Sequence, residues 1–459
     1  MTTQKRPALR VAVVGAGPAG LYAVGQLLDQ VDVDVDVDVL ERLPTPHGLV
    51  RAGVAPDHPL KKRVIDNMFE FYLDHPRVRF FGNVELGDRV VPADLALWYD
   101  AVIYAVGASD DRKLGIPGED LVGSYAAREF VAWYNGHPDF SDRQFDLSSE
   151  RAVIVGTGNV ALDVARILTC DLEVLRQTEI ADYALDTLSR SKIKEVLILA
   201  RRSHMQGAFN NPELEELGES STVAVELRNA TLTPEQQCLE QQLDWIDRRK
   251  VATLKKLQQR QLENPEKRIV FQFLTSPERI LGDERVAGVS LQSNRLVGDS
   301  PDTLAIEGTG ETTEVATGLV FRSIGYRGNA LADLPFYDST GTIPNALGRV
   351  LQHNEILPGV YVTGWIKRGP SGVIGSNKKC ARETTSCLLE DLAAGRLKGD
   401  VLSPVAVEAE LRQRCKALVT QSDWHRIDSA ERLAGTAQSR PRVKFTDRAS
   451  LLLAAGVPE

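Results

Sequence analysis

Two glycine-rich segments of this sequence have the spacing of nucleotide-binding loops. The first, GAGPAG at residues 15–20, follows the apolar run LRVAVV (9–14) and precedes a stretch with helical character. In that context Gly15 permits a tight turn, Gly17 lets a pyrophosphate approach the backbone, and Gly20 lets helix and strand pack closely. The N–H groups at the start of the helix can then bind the phosphates. We therefore predict a dinucleotide site in this segment.

The stretch VDVDVDVDVLER (31–42) indicates which dinucleotide this site prefers. Alternation of Val and Asp over residues 31–39 predicts a strand with the valines on one face. Glu41 then falls at the carboxyl end of this second strand, 21 residues after Gly20. A carboxylate there accepts hydrogen bonds from the adenosine ribose hydroxyls and repels a 2′-phosphate, so the site favours FAD or NAD. The alternative is an acidic loop in which Glu41 is a surface residue.

The second glycine-rich segment has the opposite charge at the end of its next strand. Gly156-Thr157-Gly158-Asn159-Val160-Ala161 follows the strand-like run RAVIV, and Ala161 takes the third small position. The following strand candidate, EVLILA (195–200), ends in Arg201 and Arg202. Two guanidinium groups suit a 2′-phosphate, because each is planar, always charged and able to donate two parallel hydrogen bonds. We predict an NADP site here; the alternative is a solvated surface pair.

The elements that position these loops predict an α/β protein with two Rossmann-like nucleotide-binding domains. At 459 residues the chain is long enough for two or three domains. Strands are expected at 99–108, 318–328 and 358–366, the last followed by a helix that starts near Gly372. We expect the NADP-binding domain to be inserted into a discontinuous FAD-binding domain, with boundaries of 109–325 for the former and 1–108 with 326–459 for the latter.

Two further segments have helical character. Residues 61–74 form a helix candidate in the first domain, and residues 235–263 form a long polar one in the second. We expect the charged side chains of the second candidate to be solvated.

Composition excludes several other classes of protein. A net charge of −9 argues against a nucleic-acid binder with a broad basic face. None of the five cysteines has C-x-x-C spacing, which excludes a redox dithiol, and no metal site is predicted. The amino terminus has no apolar targeting segment and no run approaches the length of a membrane span, so we expect a cytoplasmic protein.

Longer motifs point to a known family. LPTPHGLVRAGVAPDHP (43–59) and GWIKRGPSGVIGSNKK (364–379), with YDAVIYAVGA, ARRS and RSIGYRG between them, occur in order along the chain. In these motifs the sequence resembles the adrenodoxin reductase type of ferredoxin-NADP reductases, and most of all the actinobacterial members. The resemblance spans nearly the whole length. It implies FAD and NADP as cofactors, and electron transfer between NADPH and small iron-sulfur proteins of the ferredoxin type.

The same resemblance implies roles for individual positions. The FAD contacts implied are Ala19, Glu41, Leu49, Val84, Trp365, Gly372, Val373 and Ile374. The NADP contacts implied are Thr157 to Val160, Arg201, Arg202, Glu213 and Gly372. His47 departs from the family pattern, which more often has an aromatic residue there, and this puts the local flavin packing in question. Ser203, often Gly in the family, is a smaller departure.

Three residues are candidates for proton handling near the flavin and nicotinamide. His58 titrates in a range that permits a proton relay, although it can instead fix a Pro-flanked loop. Glu216 shares a helix face with Glu213 if NPELEEL is helical, and it is a candidate acid or base. Asp163 either couples to His58 or serves as a packing carboxylate. Because the chain lacks a C-x-x-C dithiol, the electron acceptor must be a separate molecule.

Basic residues recur near the proposed redox centre and can attract an acidic ferredoxin. They are Lys61, Lys62, Arg63, Lys367, Arg368, Lys378, Lys379 and Arg382. The alternative is a scattered, solvated surface. Two other functions stay open at this point: an NADPH diaphorase that reduces quinones, and a flavin-containing sensor that turns over no acceptor.

Overall fold

Nineteen strands and seventeen α-helices are assigned in the computed structural model, which describes residues 8–231, 234–298, 300–301 and 303–458. The strands are β1 (Leu9–Val14), β2 (Val35–Leu40), β3 (Val78–Gly82), β4 (Ala101–Tyr104), β5 (Asp110–Asp111), β6 (Ser124–Ala126), β7 (Arg151–Val155), β8 (Glu195–Leu199), β9 (Val223–Arg228), β10 (Lys267–Gln272), β11 (Thr275–Leu281), β12 (Gly288–Val297), β13 (Ala305–Ala316), β14 (Leu319–Arg322), β15 (Tyr326–Arg327), β16 (Asn345–Ala346), β17 (Arg349–Gln352), β18 (Glu355–Val362) and β19 (Val419–Thr420). The helices are α1 (Pro18–Leu28), α2 (Gly48–Ala52), α3 (Pro59–Lys62), α4 (Glu70–Leu73), α5 (Pro92–Trp98), α6 (Ala127–Tyr134), α7 (Asn159–Thr169), α8 (Leu172–Arg176), α9 (Asp182–Ser189), α10 (Asn211–Glu216), α11 (Pro234–Gln242), α12 (Trp245–Gln259), α13 (Trp365–Arg368), α14 (Ser376–Ala393), α15 (Pro404–Arg414), α16 (Gln421–Thr436) and α17 (Arg448–Ala455).

The first sheet has the strand order β16-β17-β18-β4-β1-β2-β3-β19. Strands β3, β2, β1, β4 and β18 are parallel neighbours, with β1 between β2 and β4. The chain therefore adds strands on one side of β1 and then on the other, which makes the β1–β4 boundary the switch point. Ligands of such sheets bind outside the carboxyl ends of the strands at that point.

Strand β2 is shorter than the alternation of Val and Asp predicts. It starts at Val35, and Val31 is 93% exposed, so the prediction of a strand from residue 31 is wrong at its amino end. From Val35 onward the valines are buried as expected. Asp38 is buried on the opposite face, where Arg10, Arg79 and Tyr99 donate hydrogen bonds to it.

The second sheet has the order β6-β14-β7-β8-β10-β9, and all its neighbours are parallel. Its main core cluster draws only on residues between Ala127 and Phe321. The clusters under the first sheet draw on residues 9–104 and 343–455. We call these two bodies the first unit and the second unit. The predicted fold class, two Rossmann-like α/β units with the second inserted into the first, is confirmed.

The chain crosses between the units at a small two-stranded sheet in which β5 pairs with β15. The segment 318–328 is therefore not one returning strand, because β14 belongs to the second sheet and β15 to the crossing. A three-stranded antiparallel sheet, β11-β12-β13, completes the second unit. Within the described ranges, no helix combines the length and apolar character needed to span a membrane.

Three helix predictions need correction. The long helix predicted over 235–263 is two helices, α11 and α12, because Leu243 turns into the core and Asp244 caps α12. The side chain of Arg249 on α12 is exposed, as expected, and pairs at the surface with Glu215 at 2.8 Å. The segment 61–74 consists of the end of α3, a π-helical turn (Ile65–Phe69) and α4. The helix expected near Gly372 starts at Ser376.

Candidate dinucleotide sites and the charge cluster between them

The first glycine loop connects β1 to α1 in a conformation that excludes side chains. Gly15 has φ of +104°, and a Cβ atom there would lie 2.6 Å from the carbonyl oxygen of Ala105. A Cβ on Gly20 would lie 2.0 Å from the carbonyl oxygen of Gly15. Gly17 is the N-cap of α1, which begins at Pro18. The loop thus presents bare backbone and a helix N-terminus at the switch point, which fits a pyrophosphate.

Glu41 lies beside this loop, directly after β2. Its Oε2 accepts a hydrogen bond of 2.9 Å from the Ala16 N–H, and its Oε1 accepts one of 3.1 Å from Leu43. Burial raises the pKa of Glu41, while these two amide donors act in the opposite direction. Val84 is buried next to it and donates its N–H to the Glu41 carbonyl. The carboxylate is held where an adenosine ribose would reach it.

His47 joins the glycine loop to the rest of the first unit. Its N–H donates to the Ala16 carbonyl at 2.8 Å, and its backbone has φ of +79°. The imidazole is 1% exposed, and its Nε2 lies 3.1 Å from Glu70 Oε1. Burial lowers the pKa of His47, which favours the neutral ring. Leu49 follows in α2 and is partly exposed.

The returning segment of the first unit closes over the same loop. A Cβ on Gly364 would lie 2.4 Å from the Cβ of Ala19, so the segment packs directly on α1. The ring centroids of Trp365 and Tyr326 lie 5.3 Å apart. Trp365 Nε1 donates a hydrogen bond of 3.2 Å to the Ser371 carbonyl.

The turn before α14 contains Gly372, Val373 and Ile374, followed by the N-cap Gly375. Gly372 and Val373 are exposed. Gly372 has φ of +81°, which only glycine adopts readily. The Val373 N–H donates to Ser376 Oγ at 2.9 Å. These residues therefore form an ordered turn at the start of a long helix.

The second glycine loop repeats this arrangement between β7 and α7. Gly156 has φ of +119°, and a Cβ there would lie 2.2 Å from the Ser323 carbonyl oxygen. Gly158 is the N-cap of α7, and Val160 lies in its first turn. Two side chains of the loop hold the segment that follows β8: Thr157 Oγ1 accepts from Ala208 N–H at 3.3 Å, and Asn159 Oδ1 accepts from Asn210 N–H at 2.8 Å.

Arg201 and Arg202 are exposed at the carboxyl end of β8. Their backbone is anchored, because Asn294 Nδ2 donates to the Arg201 carbonyl at 3.0 Å and Leu274 N–H donates to the Arg202 carbonyl at 3.1 Å. Neither guanidinium forms an ion pair with a described residue. Ser203, the departure after the pair, is buried and caps the following short turn. Both cations are thus available to a phosphate.

Between the two units, the loop and helix α3 of the first unit meet α10 of the second. His58 Nε2 lies 2.7 Å from Glu216 Oε2. Lys61 Nζ lies 3.1 Å from His58 Nδ1, 3.2 Å from Glu213 Oε1 and 3.4 Å from Glu216 Oε1. Glu213 and Glu216 therefore share one face of a helix, as expected from their spacing. We call His58, Lys61, Glu213 and Glu216 the interunit cluster.

Arg166 extends the interunit cluster into α7. It pairs with Asp57, with Asp163 at 2.8 Å and with Glu216 at 3.4 Å. Burial alone would raise the pKa of Glu216, but the His58 imidazole and the charges of Lys61 and Arg166 lower it to about 2. Burial raises the pKa of Asp163 despite Arg166. The three predicted proton-handling residues are thus brought together, with Arg166 as the direct partner of Asp163.

The sequence motifs did not reveal three members of this region. Lys61 was assigned to a surface patch, and Arg166 and Asp57 had no assigned role. The i, i+3 spacing of Asp163 and Arg166 in a predicted helix is the one signal that could have paired them. The Tyr134 hydroxyl is also buried nearby and has no hydrogen-bond partner among the described residues.

The predicted basic patch is smaller than expected. Lys62 is buried, Lys61 is held by carboxylates, and Lys367 pairs with Glu383. Arg368 bonds to Ser371 and Asn377. The exposed cations that remain are Arg63, Lys378, Lys379 and Arg382.

Comparison with known proteins agrees with this geometry. Residues 9–231 match the family model described as pyridine nucleotide-disulphide oxidoreductase. NADPH-ferredoxin reductase FprA of Mycobacterium tuberculosis is 46% identical over 96% of this chain and 98% of its own length. The chain belongs to the adrenodoxin reductase-type ferredoxin-NADP reductases. The mitochondrial NADPH:adrenodoxin oxidoreductase of Arabidopsis thaliana is 38% identical to this reductase over 99% of the chain and 96% of its own length.

A solved structure supports the same assignment for the three-dimensional fold. The complex of Mycobacterium tuberculosis FprA with NADPH superposes on the reductase with a TM-score of 0.92 at 45% sequence identity, and covers 98% of this chain and 99% of its own. Both units of the reductase and their connection are therefore those of the family.

Proposed function

We propose that the protein is an FAD-dependent ferredoxin-NADP reductase that passes electrons from NADPH to a ferredoxin-type iron-sulfur protein. The observation that carries this function is the contrast between the two nucleotide loops. Glu41 places an anion beside the first loop, and Arg201 with Arg202 place two cations beyond the second. FAD, when bound, takes up a hydride from NADPH and releases its electrons singly. The M. tuberculosis relative is named for NADPH and ferredoxin, and a structure of it holds NADPH.

The chain's own residues hold and orient these two nucleotides. For FAD we propose Gly15, Gly17, Ala19, Gly20, Glu41, Leu49, Val84, Trp365, Gly372, Val373 and Ile374. For NADP we propose Gly156, Thr157, Gly158, Asn159, Val160, Arg201, Arg202, Glu213 and Gly372. The segregated cores support 1–108 with 326–459 as the FAD-binding domain and 109–325 as the NADP-binding domain.

We further propose that His58 and Glu216 handle protons at the junction of the two sites. Glu216 remains ionised over the working pH range, because its pKa is about 2. Its Oε2 lies 2.7 Å from His58 Nε2 and can orient the imidazole ring, while Lys61 Nζ lies 3.1 Å from His58 Nδ1. Asp163 acts through Arg166 on the same carboxylate. A cytoplasmic location agrees with the free thiols of Cys170, Cys380, Cys387 and Cys415.

The direct test is an absorbance spectrum of the purified protein before and after anaerobic addition of NADPH. We expect a flavin spectrum that NADPH bleaches and NADH bleaches far less efficiently. Turnover is then measured with a ferredoxin and with a small quinone, at increasing ionic strength. Salt-sensitive turnover with ferredoxin supports the proposal. Efficient quinone turnover without ferredoxin turnover would favour a diaphorase, and bleaching without any turnover would favour a sensor.

A further inference from the structure

A second set of contacts between the units lies behind the interunit cluster. Glu179, which follows α8 in the second unit, is enclosed by cations of the first unit. Lys62 Nζ and Lys444 Nζ each lie 2.7 Å from Glu179 Oε1. Arg442 Nε lies 3.6 Å from Glu179 Oε2. The side chains of all four residues are nearly inaccessible to solvent.

The two lysines extend this contact to the backbone of both units. Lys62 Nζ donates to the carbonyls of Val50 and Arg51 at 3.2 and 3.1 Å, and to Asn135 Oδ1 at 3.3 Å. Lys444 Nζ donates to the carbonyls of Arg51 and Asn135 at 3.0 and 3.1 Å. One carboxylate of the second unit therefore holds α2, α3 and the carboxyl-terminal segment of the first unit against the end of α6.

These elements carry residues of both proposed sites. Lys62 is the neighbour of Lys61 in the single turn of α3, so the position of Lys62 also determines where Lys61 and His58 meet α10. Helix α2 begins at Gly48, and a Cβ on Gly48 would lie 3.0 Å from the Cα of Gly17. Displacement of Glu179 would thus be transmitted to the interunit cluster and to the first glycine loop.

Burial makes Glu179 difficult to replace within this arrangement. A buried carboxylate between two ammonium groups compensates for their desolvation, and its removal would leave both cations buried without an anionic partner. The lost compensation can be recovered if Lys444 releases its proton, if water enters, or, because the groups come from different units, if the units separate. Replacement of Glu179 should therefore change the relative orientation of the two units as well as lower the stability of the protein.

From this geometry we propose that Glu179 is a positioning residue, which sets the orientation of the second unit on the first and thereby of NADPH on the flavin. The inference rests on the proposed function. Hydride transfer requires the reacting atoms at about 3–3.5 Å, and a misplacement of about 1 Å can lower a rate by roughly 100-fold. The positions of Arg201 and Arg202 within the second unit do not depend on Glu179, so NADPH affinity should be spared.

The experiment compares the flavin-loaded wild type with Glu179→Gln. We expect flavin reduction at saturating NADPH, followed by stopped-flow absorbance, to slow by roughly 10- to 100-fold. The dissociation constant for NADP should change by less than about threefold, because every proposed NADP contact except Gly372 lies in the second unit. Hydrogen–deuterium exchange should quicken in the peptides that contain α2 and residues 440–446. This last measurement needs no turnover.

Asp182→Asn is the matched control, since Asp182 pairs with Arg440 of the same carboxyl-terminal segment but is largely exposed. We expect wild-type flavin reduction and exchange in that variant. If Glu179→Gln does not fold, Glu179→Asp keeps the charge on a shorter side chain and should give an intermediate rate.

A folded Glu179 variant that reduces flavin at the wild-type rate and exchanges normally would overturn the positioning role. Failure of NADPH to reduce the flavin of the wild type would instead refute the proposed function itself.

Discussion

Arg201 and Arg202 determine the preference for NADPH if their free guanidinium groups bind its 2′-phosphate. A charge-assisted hydrogen bond contributes about 1.5–3 kcal/mol, so Arg201→Ala with Arg202→Ala should weaken NADPH binding by about two to four decades. NADH has no phosphate at that position and should lose much less. Titration of each nucleotide against flavin reduction measures both effects. Arg248→Ala, an exposed arginine on α12, is the control and should change neither. Equal losses for NADPH and NADH would refute the assignment.

Glu216 is expected to matter for the reaction more than its neighbour Glu215. Glu216 contacts His58, Lys61 and Arg166, whereas Glu215 pairs with Arg249 on the outside. Glu216→Gln removes the anion that lies 2.7 Å from the His58 ring, so we expect turnover to fall by about tenfold or more and its pH profile to shift. The same measurements on Glu215→Gln should match the wild type. An unaltered profile in Glu216→Gln would remove this carboxylate from the mechanism.

His47 makes a polar contact with Glu70 at a position where the resemblance to the family more often implies an aromatic residue. His47→Phe keeps the packing between Phe69 and Trp424 but loses the 3.1 Å contact of Nε2 with Glu70. The His47 N–H donates to the Ala16 carbonyl of the first glycine loop. Because the polar contact, about 0.5–1.5 kcal/mol, thereby holds the loop proposed to face FAD, its loss should raise the dissociation constant of FAD by roughly twofold to tenfold. The dissociation constant is measured from the recovery of flavin fluorescence when the protein is diluted. Glu70→Gln retains a polar partner for the imidazole, so the dissociation constant of FAD should change less in this variant. Unaltered FAD retention in His47→Phe would contradict a role of His47 in FAD binding.

At the scale of elements, central strands were predictable and their limits were not. The residues 31–34 have the same alternation as 35–40, yet only the latter form β2. The reason lies in the neighbouring strand: among the described residues β1 begins at Leu9, which pairs with Val35, so the ladder between β1 and β2 starts there. Likewise the positions of the glycine loops, Glu41 and the arginine pair could be predicted, because each directly follows a strand that the sequence indicates. The partners of Lys61, Lys62 and Arg166 could not, because they depend on how two units pack.

The carboxyl-terminal segment that contains Lys444 should make stability depend on pH. Burial lowers the pKa of Lys444 to about 7, although Glu179 opposes the effect, while the unfolded chain keeps a value near 10.5. Between these values the unfolded state binds more protons, so this residue makes the folded state more stable as pH rises from about 7 to 10.5 and costs stability below that range. Lys444→Met should lack this contribution.

Thermal unfolding of both proteins between pH 6 and 9 tests the expectation for Lys444. The melting temperature of the wild type minus that of Lys444→Met should increase with pH. Lys398→Met, an exposed lysine outside the cluster, serves as the control, and its difference from the wild type should stay constant over the same range. A constant difference for Lys444→Met as well would contradict a depressed pKa.

At the scale of the whole molecule, the net charge and the local charge differ in sign. The chain carries a net charge of −9. Three exposed cations nevertheless lie in the first turns of α14, which begins shortly after Gly372: Lys378, Lys379 and Arg382. Ion pairing inside the protein removes Lys61, Lys62 and Lys367 from any docking surface. An acidic ferredoxin attracted to the molecule would therefore meet α14 beside the proposed flavin site, against a repulsive overall field.

This arrangement predicts how charge reversal at α14 affects two different acceptors. Lys378→Glu with Lys379→Glu should lower kcat/KM for ferredoxin by about tenfold or more at low salt, because steering by a local field raises association rates by 10-fold to 1000-fold. The difference should shrink as ionic strength approaches about 0.5 M, where charges are screened beyond a few ångströms. Turnover of a small neutral quinone should be unaffected, and Lys255→Glu with Lys256→Glu on α12 of the second unit should leave the turnover of both acceptors unchanged. Salt-independent ferredoxin turnover in the wild type would place the docking surface elsewhere.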